Sequence, residues 1–390
     1  MRNLLLLFCF IFATLAHAEE FLGGPVVSEV GEENLTGTAI SESDRKSSER
    51  NRFEIGGDFT ALLQGYFFDS TAVDRDVLRN PNTFRLYGEG KLNDENRILA
   101  RGKLVLDPTL PMAQRQTTEL EELKLQYRLS KWLFLTFGRQ KNKWGTGRVW
   151  NVTDFVNTAV RDPLALRDER SGVSFAKFHM PIGRHNLYVL AGPEDASRFQ
   201  EISFLSRIEA VLGSSEWALS TSAKRGRHPR FGADTSFALW NFDLYGEVAT
   251  PTEFRVDWIA GLSYEWSVFD NDVFRLGLEY FDHPSGFSDS AGFTRAAMSG
   301  AFMPFYMARR YAAAVLSLPA PSSLNDWTFQ FFEIEDFAGA SRLSQFGVIW
   351  KPTKELEWYW TLGLHWGKAG GEWVFGGQQL DTSLSVRATF

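Results

Sequence analysis

Apolar and polar side chains alternate every two residues through much of the chain, and this alternation limits the folds that it can adopt. The pattern is clearest in the C-terminal stretch QQLDTSLSVRATF, where Leu384, Val386, Ala388 and Phe390 share one face of an extended strand. The residues between them are polar. About ten residues with this period match a β-strand that crosses a bilayer. The alternative interpretation is a half-buried strand of a secreted β-sandwich.

Similar alternating segments recur from Phe53 onward, with turn residues between them. Eighteen such segments can be drawn, at 53–68, 82–92, 97–107, 120–129, 132–143, 171–180, 185–192, 203–213, 217–225, 230–239, 242–250, 255–266, 273–282, 305–318, 327–335, 344–351, 357–367 and 379–390. Sixteen is the alternative number, because the segments 217–225 and 242–250 alternate weakly.

The connections between the segments support this arrangement. Most connections after even-numbered segments are short turns, such as 93–96 and 130–131. Many connections after odd-numbered segments are longer, such as 144–170, 283–304 and 368–378. Short turns on one rim and long loops on the other are typical of barrels in the bacterial outer membrane.

The composition agrees with a barrel. No stretch after residue 18 has 18 consecutive apolar residues, which argues against a transmembrane helix. Aromatic residues make up 15% of the chain, with 34 Phe and 13 Trp, and aromatic girdles flank the lipid-facing band of such barrels. In lipid, only helices and closed sheets satisfy the backbone. The sequence therefore predicts an all-β fold, a closed antiparallel transmembrane β-barrel of about eighteen strands with short periplasmic turns and long extracellular loops.

The N-terminal residues, MRNLLLLFCFIFATLAHA, have the pattern of a secretory signal peptide. Arg2 precedes an apolar run, and Ala16 and Ala18 are the small residues before the predicted cleavage site. We therefore predict a signal peptide at 1–18, a flexible, polar periplasmic segment at 19–52 and the barrel at 53–390. The single cysteine, Cys9, lies within the signal peptide, so disulfides and cysteine metal sites are excluded from the mature chain.

These features predict export through the periplasm to the outer membrane of a Gram-negative cell. A last strand that ends on Phe390 resembles the assembly signal of outer-membrane barrels, so the expected partners are membrane lipids and the barrel assembly machinery. The net charge is −7, or −8 without residues 1–18. This mild acidity argues against a nucleic-acid partner, and the histidines have no clustered spacing that indicates a metal site. No cofactor is predicted.

The polar faces of the strands must point into the barrel. The first strands then contribute mainly basic side chains to the lumen, namely Arg85, Lys91, Arg101, Lys103, Lys124 and Arg128. Later strands contribute charges of both signs, including Glu247 and Glu279. Two interpretations remain open: the charges pair across neighbouring strands and support the barrel, or they form a hydrated path that prefers anionic or polar solutes.

The stretch GRQKNKWGTGRVWN at 138–151 is the most basic part of the fifth segment and its loop. A dinucleotide-binding motif is a poor fit, since no third glycine follows Gly145 and Gly147 at the required spacing. Strict alternation would turn Arg139, Lys141 and Lys143 toward lipid, at about 2–4 kcal/mol each near the midplane. Either Gly138 is a bulge that reverses the register, or these residues lie beyond the membrane.

The loop 144–170 is predicted to fold into the lumen and narrow it. Its charged candidates for the constriction are Arg148, Asp154, Arg161, Asp162 and Arg167.

This region resembles a known group of barrels. Gly138-Arg139-Gln140, Trp144-Gly145, Asn151, Asp154, Asp162-Pro163 and Arg170-Ser171-Gly172 resemble the pattern G-R-Q…W-G…N-x-x-D…D-P…R-x-G of the DUF1302 and alginate-export-like porins. The match covers about 35 residues, and Val152 stands where many relatives have proline. The resemblance implies a channel or an exporter and supplies no catalytic residue.

The predicted function is an outer-membrane channel that passes a polar solute, either anionic or uncharged, by diffusion or facilitated transport through a charged lumen narrowed by an inward-folded loop. The solute is a small polar molecule or a polysaccharide. One alternative is an outer-membrane enzyme acting on lipid, with Asp282-His283-Pro284-Ser285 as its candidate cluster. Neighbouring strand residues point to opposite faces, which argues against a working triad there. The other alternative is a sealed structural or surface barrel.

The aromatic residues Trp358, Tyr359, Trp360, Trp366 and Trp373 are predicted to form an interfacial girdle.

Overall fold

The computed structural model describes residues 53–69, 76–93, 95–157, 159–165, 167–193, 196, 198–252, 255–268, 272–321 and 323–390. The predicted signal peptide and periplasmic segment lie outside the described residues. The strands are β1 (Phe53–Phe68), β2 (Val77–Arg79), β3 (Asn82–Asn93), β4 (Asn96–Leu106), β5 (Gln116–Ser130), β6 (Leu133–Gln140), β7 (Val173–Ile182), β8 (His185–Gly192), β9 (Ser203–Leu212), β10 (Ser215–Ala223), β11 (Arg230–Leu239), β12 (Phe242–Thr252), β13 (Arg255–Val268), β14 (Asp272–Asp282), β15 (Arg310–Pro319), β16 (Trp327–Asp336), β17 (Ser341–Trp350), β18 (Leu356–Gly367) and β19 (Gln378–Thr389).

The strands form one closed antiparallel sheet. From β3 onward each strand pairs with the next one in sequence, and β19 pairs with β1, from Asp58–Thr389 to Phe68–Gln378. The three-residue β2 is an accessory strand that pairs with Gln64–Tyr66 of β1, while β1 also pairs with β3. The barrel wall therefore has eighteen strands, which confirms the predicted fold class and the preferred strand number. None of the described helices is both long and apolar enough to span a bilayer.

Each predicted segment corresponds to one strand of the wall, with differences at the ends. The largest difference is at the predicted segment 305–318, because β15 begins only at Arg310. Residues 305–309 belong instead to the loop between β14 and β15. This loop also contains the helix α1 (Ser290–Met298), whose first turn is capped by the Asp289 side chain accepting from the Gly292 N–H.

The two faces of the wall differ as the alternation predicts. On β3, Phe84 and Leu86 are exposed on the outer surface, whereas Arg85 between them is half-buried and forms ion pairs inside the barrel. On β14, Leu278 is exposed outside and its neighbour Glu279 is buried inside. Water cannot hydrate charged groups in the hydrocarbon layer, so this segregation follows from the solvent on each side.

The C-terminal residue contributes to the closure of the barrel. The Phe390 backbone N–H donates to the Gly57 carbonyl at 3.0 Å, and the Phe390 carbonyl accepts from the Gly57 N–H at 2.9 Å. The Phe390 ring stacks against Phe84 of β3 at 5.9 Å between centroids. The terminal aromatic side chain thus lies on the outer surface, across the seam at which the first and last strands meet.

Three loops meet inside the barrel and form an apolar core there. They are the β6–β7 loop (141–172), the β14–β15 loop (283–309) and the β18–β19 loop (368–377). Trp150, Phe293, Phe305 and Trp373 from these loops are buried together with side chains from the inner faces of β13 to β17. Two predicted girdle residues are therefore misplaced: Trp373 lies in this core, and Tyr359 lies on the inner face of β18, next to the loop residues 163–165.

Glu372 joins the β18–β19 loop to the β14–β15 loop. Its carboxylate accepts from the Phe305 N–H at 2.5 Å and from the Tyr311 hydroxyl at 2.5 Å. Burial, together with the nearby Asp336 carboxylate, raises the pKa of Glu372 to about 8, although its hydrogen bonds favour the ionised form. The neutral form therefore persists in the folded protein at pH values where an exposed glutamate is ionised.

This junction predicts a pH-dependent contribution to stability. The folded-state pKa of Glu372 exceeds its unfolded value, so its stabilising contribution is complete below the unfolded pKa and declines as pH rises to about 8. Substitution Glu372→Gln keeps the group neutral at every pH. We expect the Tm of the variant, measured in detergent, to match that of the native chain near pH 5 and to exceed it by several degrees near pH 9.

The exposed Glu355 on the β17–β18 turn provides the control, since Glu355→Gln should not change the pH dependence. A difference in Tm between the Glu372→Gln variant and the native chain that does not change with pH would contradict this account.

Candidate functional site

A β-bulge places two carboxylates on the basic inner wall formed by β3, β4 and β5. The pairing of β4 with β5 shifts between Arg101, opposite Glu122, and Gly102, opposite Leu120, so Glu121 is the extra residue. Both Glu121 and Glu122 are buried. In a regular strand, one of these two adjacent side chains would face the lipid. Because of the bulge, both face the lumen.

These two carboxylates pair with most of the predicted basic residues of the early strands. Glu121 lies 3.5 Å from Arg85, 3.7 Å from Lys103 and 3.7 Å from Lys141. Glu122 lies 3.3 Å from Arg101 and 3.1 Å from Lys124. The structure therefore brings this set together in an ion-paired network, as the first interpretation of the lumenal charges predicts.

The remaining basic residues of these strands lie toward the short turns. Arg128 pairs with Glu95 at 3.0 Å and lies over the Phe134 ring at 5.5 Å. Lys91 is exposed near the end of β3, opposite Arg97 on β4. These two residues are thus at the turn side of the wall and apart from the network around Glu121.

The end of β6 resolves the register problem for Lys141 and Lys143. Pairing with β5 and β7 continues without a shift through Gly138 and Arg139, and the strand ends at Gln140. Gly138 has a φ of +107°, and a Cβ on it would overlap the Leu123 carbonyl, so only glycine fits there. The predicted bulge at Gly138 is therefore absent from the ladder. Lys141 and Lys143 lie beyond the strand, and Lys141 reaches Glu121.

Gly145 and Gly147 of the β6–β7 loop allow the backbone to lie against a carboxylate of the barrel wall. Glu247 of β12 accepts from the N–H groups of Gly147 at 2.6 Å, Val152 at 2.8 Å and Thr153 at 2.9 Å. A Cβ on Gly145, whose φ is +93°, would overlap Glu247, and one on Gly147 would overlap the Trp150 carbonyl. The G-x-G therefore does surround an anion, and the anion is a side chain of this protein.

Glu279 of β14 holds the next part of the same loop. It accepts from the N–H groups of Arg148 at 2.9 Å, Val149 at 3.2 Å and Trp150 at 2.7 Å, and from the Tyr245 hydroxyl at 2.8 Å. Glu247 and Glu279 are both buried on the inner face. Residues 147–153 thus lie against the inner wall at β12 and β14, held by six backbone N–H groups that donate to two carboxylates.

Most of the other predicted loop residues form a second polar cluster. Asp154 pairs with Arg170 at 3.1 Å, Arg161 donates to the Arg148 carbonyl at 3.3 Å, and Arg148 lies 3.6 Å from Asp243. Arg167 forms two hydrogen bonds with Glu357 of β18, at 2.8 and 2.9 Å. These contacts extend from Asp243 on β12 to Glu357 on β18.

Burial also changes the ionisation of this loop. It lowers the pKa of Lys143, and the nearby Arg161 lowers it further. Burial raises the pKa of Asp162, although the carboxylate accepts from the Leu164 N–H at 2.9 Å.

Arg139 makes no ion pair within the described residues, and its Nε atom is buried without a hydrogen-bond partner.

The candidate cluster for an enzyme is divided by the structure. Asp282 pairs with Arg310 at 3.0 Å, whereas His283 lies 3.0 Å from Asp257. Asp282, the last residue of β14, and His283, the first residue of the loop, therefore contact different partners. No group of three or more potential metal ligands occurs among the residues that the structure describes.

Comparison with known proteins identifies the class of fold. No protein-family model and no curated protein matches the chain. The fold is similar to the outer membrane protein OpdK of Pseudomonas aeruginosa, with a TM-score of 0.58 and 9% identity over 87% of this chain and 98% of that one. It is also similar to OccK2 of the same species, with a TM-score of 0.58 and 11% identity over 87% and 97%. A BenF-like porin from Pseudomonas fluorescens has a TM-score of 0.58 and 9% identity over 87% and 99%. The chain thus has the fold of Gram-negative outer-membrane porins.

The carboxylate contacts predict that Glu247 holds the β6–β7 loop in place. Hydrogen bonds to a charged group contribute about 1.5–3 kcal/mol each. The Glu247→Ala substitution removes the hydrogen bonds that Gly147, Val152 and Thr153 donate to β12. We expect trypsin to cleave the folded variant after Arg148 at least ten times faster than the native chain, as measured by mass spectrometry.

Glu89→Ala is the matched control, because Glu89 also faces the lumen but pairs with Arg97 and does not contact the loop. Equal cleavage rates in the native chain and the Glu247→Ala variant would show that the loop does not depend on this carboxylate.

Proposed function

We propose that the chain is an outer-membrane channel through which a polar solute, preferentially an anion, passes by diffusion or facilitated transport. The closed eighteen-strand barrel and its porin-like structural neighbours support a channel. The observation that carries the proposal is the attachment of residues 147–153 to Glu247 and Glu279 on the inner wall. A loop held there reduces the cross-section of the lumen, and a fixed constriction is the means by which a porin selects solutes.

The preference for anions is supported by arginine side chains in and beside this loop. Arg148, Arg161 and Arg167 belong to the loop, and Arg139 lies just before it. Since a guanidinium is positively charged and has no acceptor, these side chains favour a passing carboxylate, phosphate or sulfate over a cation. The basic residues on β3 to β5 contribute less, because Glu121, Glu122 and other carboxylates pair with them.

The location and partners belong to the same proposal. The fold supports a bacterial outer membrane, with lipid contacts along the exposed apolar face of the wall and export through the periplasm before insertion. The position of Phe390 at the seam is compatible with a role as an assembly signal for the barrel assembly machinery. Kinship with the DUF1302 and alginate-export-like barrels is part of the proposal, as is the choice between a small polar solute and a polysaccharide.

A sealed barrel is the second candidate. It is favoured by the apolar core of the three loops, in which Trp150, Phe293 and Tyr311 are fully buried inside the barrel. Enzymatic activity is not part of the proposal, because the porin-like neighbours favour a channel and the side chains of Asp282 and His283 contact different partners.

Planar lipid bilayers distinguish the channel from the sealed barrel. We expect stepwise conductance from the purified native chain, with a reversal potential that indicates a preference for anions in a salt gradient. Lys143→Glu or Arg139→Glu should shift the reversal potential toward cation selectivity, because each replaces a cation near the proposed constriction by an anion.

Lys354→Glu is the matched charge reversal, on the exposed β17–β18 turn, and should change selectivity little. Absence of any conductance step would favour the sealed barrel. Conductance whose selectivity is unchanged by both substitutions would place Arg139 and Lys143 away from the solute path.

A further inference from the structure

A partly open cavity lies between the β6–β7 loop and the inner wall formed by β15 to β18. Its enclosed part has a volume of about 50 Å³, and the space reaches about 470 Å³ only when adjoining open solvent is included. Pro163, Leu164 and Ala165 form its loop side. The wall side includes Val315, Gln330, Phe332, Gln345, Gly347 and Tyr359. No charged side chain is among the residues that line it, in contrast to the network around Glu121.

Strand register explains how the wall side is built. Phe332 of β16 lies between Val315 of β15 and Gln345 of β17 in one row across the wall. Gln330 of β16 lies opposite Gly347 of β17 in the next row on the same face. The two glutamines are therefore diagonal neighbours on adjacent strands, for which a separation of about 7–8 Å is typical.

The polar groups of this cavity are free to bind a ligand. Among the residues that the structure describes, the side-chain amides of Gln330 and Gln345 and the Tyr359 hydroxyl form no hydrogen bond with protein. Each amide offers two donors and one acceptor oxygen, and the hydroxyl can donate or accept. Polar groups inside a protein require partners, so these three need a ligand or water. Asp162, the nearest acid in the sequence to the loop side, instead accepts from the Leu164 N–H.

Gly347 keeps the space between these groups open. A Cβ at this position would lie 3.3 Å from the Tyr359 ring and 3.5 Å from the Gln330 Oε1 atom. A side chain at position 347 would therefore fill part of the space between the Gln330 amide and Tyr359. The cavity combines a small gap, neutral donors and acceptors, and an apolar surface from Val315, Phe332 and Leu164, a combination typical of small-molecule sites.

We propose that this cavity is a binding site for a neutral, hydroxyl-rich ring such as a monosaccharide. The hydroxyl groups pair with the two amides and the phenol, and the C–H faces of the ring contact the apolar side chains. An ion is disfavoured because no opposite charge lines the cavity. The site deepens the proposed channel by adding a solute subsite on the wall at β15 to β18, but its binding of sugar does not depend on conduction.

Binding is tested on the purified barrel in detergent by saturation-transfer NMR and calorimetry, with D-glucose, D-galactose and D-mannose as probes. We expect at least one of these sugars to bind with a millimolar Kd. Gln330→Leu and Gln345→Leu should each weaken binding about three- to tenfold, the effect of losing one neutral hydrogen-bonding group. Tyr359→Phe, which removes only the hydroxyl, should weaken it by a similar factor.

Gln64→Leu on β1 is the matched control and should bind as the native chain does. Retention of the folded, heat-modifiable form on gels identifies the variants that are suitable for comparison, and Tyr359→Phe remains as a test if a leucine variant misfolds. No binding of any of the three sugars, or binding that none of the cavity variants weakens, overturns the proposal. Sugar binding by a chain that shows no conductance would overturn the channel and leave this site intact.

Discussion

The structure depends on the requirement that every backbone N–H and C=O group in the wall finds a partner within the protein, because lipid offers none. Pairing of β19 with β1 meets this requirement by removing both edges of the sheet. Closure also decides the environment of each side chain, since residues alternate between lipid and lumen along each strand. The ion-paired network around Glu121 and the apolar outer surface are two consequences of this one constraint.

The same requirement shapes the β6–β7 loop. Residues 147–153 form no strand or helix, so their N–H groups need other acceptors once they are enclosed in the barrel. Glu247 and Glu279 accept six of them. In return, the donors offset the cost of burying two carboxylates. The loop and the wall are thus mutually dependent, and this dependence allows an irregular segment to keep a defined position in the lumen.

The sequence predicted the strands well because a two-residue alternation is local and strong. It assigned all eighteen strands and the basic inner face of β3 to β5. It could not locate the bulge at Glu121, because a single extra residue depends on pairing with β4. Tyr359 and Trp373 were misassigned to the girdle, since tryptophan and tyrosine also suit a protein interior. The sequence could not identify Glu247 as the partner of the G-x-G, because it lies about 100 residues away in sequence.

The central claim is that Glu247 and Glu279 hold a constriction inside a conducting barrel. The most direct test is the single-channel conductance of the Glu247→Ala/Glu279→Ala double variant beside that of the native chain. Loss of both carboxylates should free residues 147–153 from the wall, so the account predicts a conductance at least twice as large, with frequent transitions between levels. An unchanged, steady conductance in a correctly folded double variant would contradict it.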